Sequence, residues 1–145
     1  MECPLPSRGI YPDSWLKEIL LCAKRIAIIG LSPDEDKDSH KVARYLLEQG
    51  YEVIPIYPKE ETILGQKVYR NLGEVHGFVD IVDVFRKSQA LTPIAIEARE
   101  RGGIDVLWGQ LGVQNQEAEQ ILEHSGVRVV QNLCIKLEHQ RLFSK

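Results

Sequence analysis

The stretch 25–32 reads Arg25-Ile26-Ala27-Ile28-Ile29-Gly30-Leu31-Ser32. A run of small and β-branched apolar residues that ends at a glycine is typical of a strand buried on both faces of a sheet. Four further short runs rich in β-branched residues follow along the chain: Tyr51–Ile56, Val79–Val84, Ile104–Trp108 and Val127–Val130. Glycine, proline or polar residues bound each of them. The sequence therefore predicts five strands.

Segments with helical spacing separate the predicted strands. Their expected bounds are Trp15–Ala23, Ser39–Gly50, Ser88–Gly103, Asn115–Gly126 and Ile135–Leu142. Ser39 is expected to cap its helix, because a short polar side chain accepts hydrogen bonds from the free N–H groups at a helix start. Strands that alternate with helices predict right-handed crossovers and a parallel sheet. We expect an α/β fold, a single doubly wound domain whose five-stranded parallel sheet carries helices on both faces.

The length and composition of the chain predict one domain. The chain has 145 residues, of which 43% are hydrophobic and 27% charged, and this is enough to bury one ordinary core. We expect the domain to span residues 1–145, with residues 1–23 as an N-terminal helical extension packed on it. The stretch Glu60–His76 is too long for a plain loop and is expected to pack on the sheet in place of a crossover helix.

The charges and cysteines argue against several classes of protein. A net charge of -3 gives no basic footprint for nucleic acid. Cys3, Cys22 and Cys134 are odd in number and far apart, which fits neither a disulfide framework nor a zinc site. Because the sequence shows neither a secretory signal nor a long apolar run, we expect a cytoplasmic protein that makes no membrane contact. The scattered histidines and the absence of catalytic motifs predict neither a metal site nor a catalytic centre.

The loop after the first strand is the first candidate for a ligand site, because doubly wound sheets bind ligands beyond the carboxyl ends of their strands. Gly30, Leu31 and Ser32 leave the strand, and Ser39 and His40 enter the helix. A flexible glycine and free N–H groups at a helix start suit a phosphate. The loop matches neither the dinucleotide nor the triphosphate glycine pattern. The alternative is a solvent loop with an ordinary helix cap.

Residues after the second and third strands fall at the same edge. An NAD site usually has an acidic residue after the second strand. Here the segment Tyr57-Pro58-Lys59 ends in a lysine. A lysine would attract a ribose phosphate such as that of NADP or coenzyme A. Phe85 would pack on an adenine, and Arg86 would clamp a diphosphate. The alternatives are a solvated Lys59, a core Phe85 and a solvated Arg86. The segment Trp108-Gly109-Gln110-Leu111-Gly112 predicts a tight backbone passage beside the same crevice.

Several short motifs occur in order along residues 24–143. They are Gly30-Leu31-Ser32, Tyr45-Leu46-Leu47, Gly50-Tyr51-Glu52-Val53-Ile54-Pro55, Ile63-Leu64-Gly65, Val79-Asp80-Ile81-Val82-Asp83-Val84-Phe85-Arg86, Trp108-Gly109-Gln110-Leu111-Gly112-Val113 and Cys134-Ile135-Lys136-Leu137-Glu138-His139. Each is weak alone, but in this order and spacing they resemble the stand-alone CoA-binding domain proteins of bacteria and archaea. The resemblance implies a Rossmann-like domain similar to the CoA-binding domain of the succinyl-CoA synthetase α subunit.

The resemblance also implies a role for each residue at the edge. The phosphates would be met by Gly30, Leu31, Ser32, Ser39 and His40, the adenosine and its 3′-phosphate by Tyr57, Pro58 and Lys59, the adenine side and diphosphate by Phe85 and Arg86, and the pantetheine arm by Gly109 and Gln110. Two positions depart from the family pattern. Tyr57 stands where an asparagine is usual, and His40-Lys41 where a Tyr-Gly pair is usual.

Three functions are compatible with these observations. The first is non-catalytic binding of coenzyme A or an acyl-CoA by a carrier, sensor or regulator. The second is a small NADP-dependent oxidoreductase, which Lys59 allows but the missing glycine pattern opposes. The third is the CoA-binding subunit of a separately encoded acyl-CoA synthetase-like enzyme. An unidentified protein partner would then dock on the apolar stripe Trp15, Leu16, Ile19, Leu20 and Leu21, for which core packing is the alternative.

Overall fold

The computed structural model describes residues 11–143. The main sheet consists of β1 (Arg25–Ile29), β2 (Glu52–Ile56), β5 (Val79–Val84), β6 (Ile104–Gly109) and β7 (Arg128–Val130). A separate hairpin consists of β3 (Thr62–Ile63) and β4 (Gln66–Lys67). The helices are α1 (Asp13–Cys22), α2 (Asp38–Glu48), α3 (Leu91–Arg101), α4 (Gln116–Leu122) and α5 (Ile135–Phe143). The predicted α/β fold with a five-stranded parallel sheet is confirmed.

The strand order is β2-β1-β5-β6-β7. The chain first builds the sheet from β1 towards β2 and then continues on the other side of β1, so the order reverses between β1 and β5. The register places Ile29 beside both Ile56 and Val84, and Val84 beside Gly109. The residues that follow these four positions therefore meet at one edge of the sheet, where doubly wound folds bind ligands.

Helices cover both faces of the sheet. On one face, Ile26 and Ile28 of β1 belong to the same core as the apolar residues of α1, α2 and α5. On the other face, Ala27 and Ile29 belong to a second core with α3 and α4. Successive residues of a strand point to opposite faces, so burial on both sides requires the continuous apolar run seen in this strand.

Helix α1 packs into the first core. Its residues Leu16, Ile19 and Leu20 are almost fully buried. The hypothesis that this stripe is a docking surface is therefore wrong for these three residues, whereas Leu21 is 70% exposed. The Arg141 guanidinium of α5 also holds α1, donating to both oxygens of the Asp13 carboxylate at 3.0 and 2.9 Å. The rest of the predicted extension, residues 1–10 with Cys3, lies outside the described residues.

The stretch Glu60–His76 contains the β3–β4 hairpin and a turn of 3-10 helix at Leu72–Glu74. Leu72 and Val75 are buried in the second core, together with α3. The Arg101 guanidinium donates to the carbonyl oxygens of Leu72 and Val75 at 3.2 and 2.6 Å and so fixes the segment. The prediction that this stretch packs on the sheet in place of a crossover helix is confirmed.

Asp83 is an exception within the apolar sheet. It lies on β5 between Ile28 and Trp108 of the neighbouring strands and is fully buried. Among the described residues neither carboxyl oxygen has a hydrogen-bond partner. Burial raises the pKa of this carboxyl well above its usual value, because a charge there would lose its hydration without a partner to replace it.

We predict that Asp83 makes the protein less stable as the pH rises. Above about pH 4 an unfolded chain releases this proton whereas the folded chain keeps it, so the free energy of unfolding falls by up to about 1.4 kcal/mol per pH unit until the pH reaches the raised pKa. Asp83→Asn should remove that slope. Urea titrations at pH 5, 6 and 7 would measure it, with the exposed Asp36→Asn as the control; equal slopes for wild type and Asp83→Asn would contradict the prediction.

Candidate functional site

The end of β1 is bound tightly to both neighbouring strands. The Gly30 N–H donates to the Ile56 carbonyl and the Phe85 N–H donates to the Ile29 carbonyl, both at 2.9 Å. Gly30 has a φ of +87°, and a Cβ placed on it would lie 2.5 Å from the Phe85 carbonyl oxygen. This glycine therefore lets the loops after β1 and β5 approach each other. The sequence predicted that Gly30 lets the backbone come close to a ligand. On the side that a Cβ would occupy, the neighbour of Gly30 is the Phe85 carbonyl and not a ligand.

Ser39 and His40 organise the loop that follows β1. The Ser39 hydroxyl accepts the Ser32 N–H at 3.0 Å, and His40 Nδ1 lies 2.9 Å from the Ser32 carbonyl oxygen, where it donates. Both side chains are buried. The prediction that Ser39 caps the helix is wrong: α2 begins at Asp38, after Lys37, and the Ser39 hydroxyl is occupied by the loop. The buried side chains of Ser39 and His40 therefore fix the loop by hydrogen bonds to the backbone of Ser32.

A smaller cleft, of about 340 Å³, opens beyond β1 and β2. Its lining includes Ile29, Ile56, Tyr57, Pro58, Arg70 and Arg86. The Arg70 guanidinium donates to the carbonyl oxygens of Tyr57 and Lys59 at 3.0 and 2.8 Å. It therefore fixes the backbone of the Tyr57-Pro58-Lys59 segment, while the Lys59 residue itself is exposed.

A larger cleft, of about 710 Å³, lies beyond β5 and β6. It is lined by Asp38, Lys41, Val42, Phe85, Arg86, Lys87, Gln110, Leu111, Val113, Cys134, Lys136 and Leu137. Four of these side chains are cationic and one is a carboxylate, although the chain as a whole carries a charge of -3. A cleft walled by low-dielectric protein strengthens such a local field, so this one favours an anion.

Arg86 belongs to the lining of both clefts. It follows β5 at the point where the strand order reverses. Its guanidinium is planar, stays charged at neutral pH and matches the oxygens of a phosphate. One extended ligand could therefore occupy both clefts and contact the Arg86 guanidinium from either of them.

Gln110 brings an unsatisfied polar group to the larger cleft. It is 7% exposed, and within residues 11–143 its Oε1 atom has no hydrogen-bond partner. The preceding Gly109 has no room for a side chain, because a Cβ there would lie 2.5 Å from the Val113 carbonyl oxygen. The expected tight backbone passage is therefore present, and it places next to the cleft an acceptor that lacks a donor.

The structure separates the predicted site residues into two groups. Those that line a cleft are Tyr57, Pro58, Phe85, Arg86 and Gln110. Those that support the edge without lining either cleft are Gly30, Leu31, Ser32, Ser39, His40, Lys59 and Gly109. Of these, the Leu31 side chain is fully buried in the core. Contact of any of these residues with a ligand stays a prediction.

Sequence reasoning missed several residues of the edge. Arg70 reaches it because Tyr69 forms a parallel bridge with Ile56 across the irregular stretch, which no local pattern reports. Lys87, Lys136 and Leu137 reach the larger cleft from two separate segments, whereas Leu111 belongs to the segment that the sequence already placed beside the crevice. Of the three cations, only Lys87 lies within a few residues of the end of a predicted strand, so only Lys87 has a signal in the sequence.

Two absences concern residues 11–143 alone. No helix in this part of the chain is long and apolar enough to cross a membrane. No group of three histidine, cysteine, aspartate or glutamate side chains in it is arranged to hold a metal ion.

These observations define the class of protein: a doubly wound α/β domain with two clefts that share Arg86 at the switch point of its sheet. The chain belongs to the CoA binding domain family, whose model matches residues 24–140. The resemblance seen in the sequence motifs is thereby confirmed.

Relatives of known sequence or structure agree with this assignment. The YneT protein of Bacillus subtilis is 44% identical over 124 residues, which cover 86% of this chain and 91% of that protein. The alpha subunit of the ADP-forming acetate–CoA ligase II of Pyrococcus furiosus is 29% identical over 120 residues; the match covers 76% of this chain but only 26% of that subunit. A solved structure of a hypothetical protein from Pyrococcus horikoshii OT3 is 33% identical, with a TM-score of 0.91 over 99% of both chains.

We predict that Gly30→Ala destabilises the fold more than Gly50→Ala does. Both glycines have positive φ values, +87° and +95°, and an alanine in such a conformation costs about 1 to 2 kcal/mol. Only Gly30 adds a clash, with the Phe85 carbonyl, since nothing lies within 4 Å of a Cβ on Gly50. Overpacking typically adds about 1 to 3 kcal/mol. Thermal and urea unfolding would compare the two variants, and equal losses would show that the close approach is not a constraint.

Proposed function

We propose that this chain binds coenzyme A or an acyl-CoA at the carboxyl edge of its sheet, as a carrier, sensor or regulator, and catalyses no reaction by itself. The observation that carries the proposal is the pair of clefts that share Arg86 in their linings, one of them cationic and partly apolar. Membership of the CoA binding domain family names the ligand class that such an edge would take.

The residues at the edge fit the parts of a CoA molecule. The smaller cleft presents Ile29, Ile56, Tyr57 and Pro58 to the adenosine, whose rings need apolar and aromatic surfaces. Lys59, exposed on the segment that Arg70 holds, would face the 3′-phosphate. For Tyr57, Pro58 and Lys59 these roles agree with those that the family resemblance implies, whereas Phe85, expected at the adenine side, lines the larger cleft instead.

The larger cleft fits the rest of the molecule. Lys41, Arg86 and Lys87 would balance the diphosphate, because charge-assisted hydrogen bonds to phosphate are stronger than neutral ones. The unpartnered Oε1 of Gln110 would accept an amide N–H of the pantetheine arm. A buried acceptor without a donor destabilises the protein by about 1 to 3 kcal/mol, so a ligand that supplies one gains affinity there.

A second candidate function is supported by the similarity to the acetate–CoA ligase subunit. That subunit matches this chain over its CoA-binding part, and the chain spans about a quarter of its length. The chain would then act as the CoA-binding component of a larger synthetase-like assembly, with catalytic groups supplied by a separate protein. Absence of any turnover by the isolated chain is expected for both functions.

We predict that Lys59 distinguishes CoA from dephospho-CoA. A charge-assisted hydrogen bond to the 3′-phosphate at an exposed site should make CoA bind more tightly by about 1 to 3 kcal/mol, which is about five- to a hundredfold in Kd. Lys59→Ala should erase most of this preference, and added salt should reduce it in the wild type. Isothermal titration calorimetry would measure both ligands.

The control variant is Lys24→Ala, because Lys24 lies just before β1, at the amino edge of the sheet. It should keep the full preference for CoA. Equal affinity of the wild type for the two ligands would remove Lys59 from the site. Tighter binding of NADPH than of CoA would favour an oxidoreductase instead.

We also predict that the isolated chain leaves acyl-CoA thioesters intact. Neither family membership nor the two clefts supplies a nucleophile with a base and an orienting group, which covalent catalysis requires. Acetyl- and succinyl-CoA, with and without nucleotides, should release free thiol no faster than in buffer. Steady release that Cys134→Ser abolishes would contradict this, whereas Cys22→Ser controls for the other described cysteine, which is exposed on α1.

A further inference from the structure

Two large apolar side chains stand exposed at the mouth of the larger cleft. Leu111 is 62% exposed and Leu137 is 52% exposed, and both belong to the cleft lining. Among residues 11–143 only Leu21 and Phe78 are other large apolar side chains with comparable exposure, and neither lines this cleft. Leu111 follows β6 and Leu137 is on α5, so two separate elements bring apolar surface to one opening.

The order of the strands fixes which end of a CoA ligand would meet these leucines. The smaller cleft lies at β1 and β2, and Arg86 leaves β5 between the two clefts. In the sheet β6 is three strand positions from β2, about 14 Å at the usual spacing. With the adenosine at β2 and the diphosphate at Arg86, the pantetheine arm runs towards β6. The sulfur end of the ligand is therefore the part that reaches Leu111 and Leu137.

The surface at that end offers apolar contacts to a group attached to the sulfur. Of the cleft residues that follow β6 or lie at α5, Leu111, Val113 and Leu137 are apolar, whereas Gln110, Cys134 and Lys136 are polar. Exposed apolar surface of this kind gains free energy when an apolar group removes it from water. A thioester carries such a group on its sulfur, whereas unacylated CoA does not.

Building on the proposed function, we infer that the physiological ligand is an acyl-CoA whose alkyl chain lies between Leu111 and Leu137. Burial of one methylene group strengthens binding by about fourfold when it is complete. The two leucines stay partly open to water, so about twofold per methylene is expected here. The protein thus distinguishes ligands by their acyl groups and not only by the CoA portion that all of them share.

The test measures the affinity of the full chain for CoA and for acetyl-, butyryl-, hexanoyl- and octanoyl-CoA by isothermal titration calorimetry, with each ligand below its micellar concentration. We expect Kd to fall about twofold for each added methylene. The double variant Leu111→Ser with Leu137→Ser should flatten this dependence. Leu21→Ser, at a somewhat more exposed leucine of α1 outside the cleft, is the matched control and should keep it. Circular dichroism would verify that all variants are folded.

Each result separates the inference from the proposed function. If CoA binds and chain length has no effect, the acyl inference is overturned while CoA binding stands. If the double variant keeps the wild-type dependence of Kd on the length of the acyl group, the two leucines do not contact the alkyl part of the ligand and the inference fails. If neither CoA nor any acyl-CoA binds, the proposed function itself is overturned.

Discussion

The close approach of Gly30 to the carbonyl of Phe85 sets the geometry on which the carboxyl edge depends. A side chain at this position would lie 2.5 Å from that oxygen, so the loops after β1 and β5 can touch only because a glycine is present. Hydrogen bonds from Gly30 to Ile56 and from Phe85 to Ile29 tie three adjacent strands together at the same level. Arg86 leaves the sheet directly after this junction and therefore lies between the two clefts.

The second constraint is electrostatic and local. The chain carries a net charge of -3, and the first loop adds Asp34, Glu35 and Asp36 close to the edge. The larger cleft is nevertheless lined by Lys41 from α2, Arg86 and Lys87 from the loop after β5, and Lys136 from α5. Focusing of these charges by the protein walls makes the cleft attractive to an anion, although the molecule as a whole is acidic.

Two polar groups remain unsatisfied near this edge. Asp83 is buried on β5 with a raised pKa, and Gln110 follows β6 with its Oε1 unpartnered among the described residues. Groups of this kind lower stability, and proteins retain them where function uses them. Gln110 lines the larger cleft, and in the proposed function its Oε1 would accept an amide N–H of the ligand. Asp83 does not line it, and we expect its buried carboxyl to lower the stability of the fold as the pH rises.

The sequence by itself determined the five strands, each within one residue of its final bounds, because a run of β-branched residues is a local signal. It also indicated Phe85, Arg86 and Gln110, since residues after parallel strands must share an edge. It erred on Ser39, whose hydroxyl bonds Ser32 seven residues away instead of capping its helix. Only the tertiary structure brought Arg70, Lys136 and Leu137 to the clefts, because their positions depend on register and packing between segments distant along the chain.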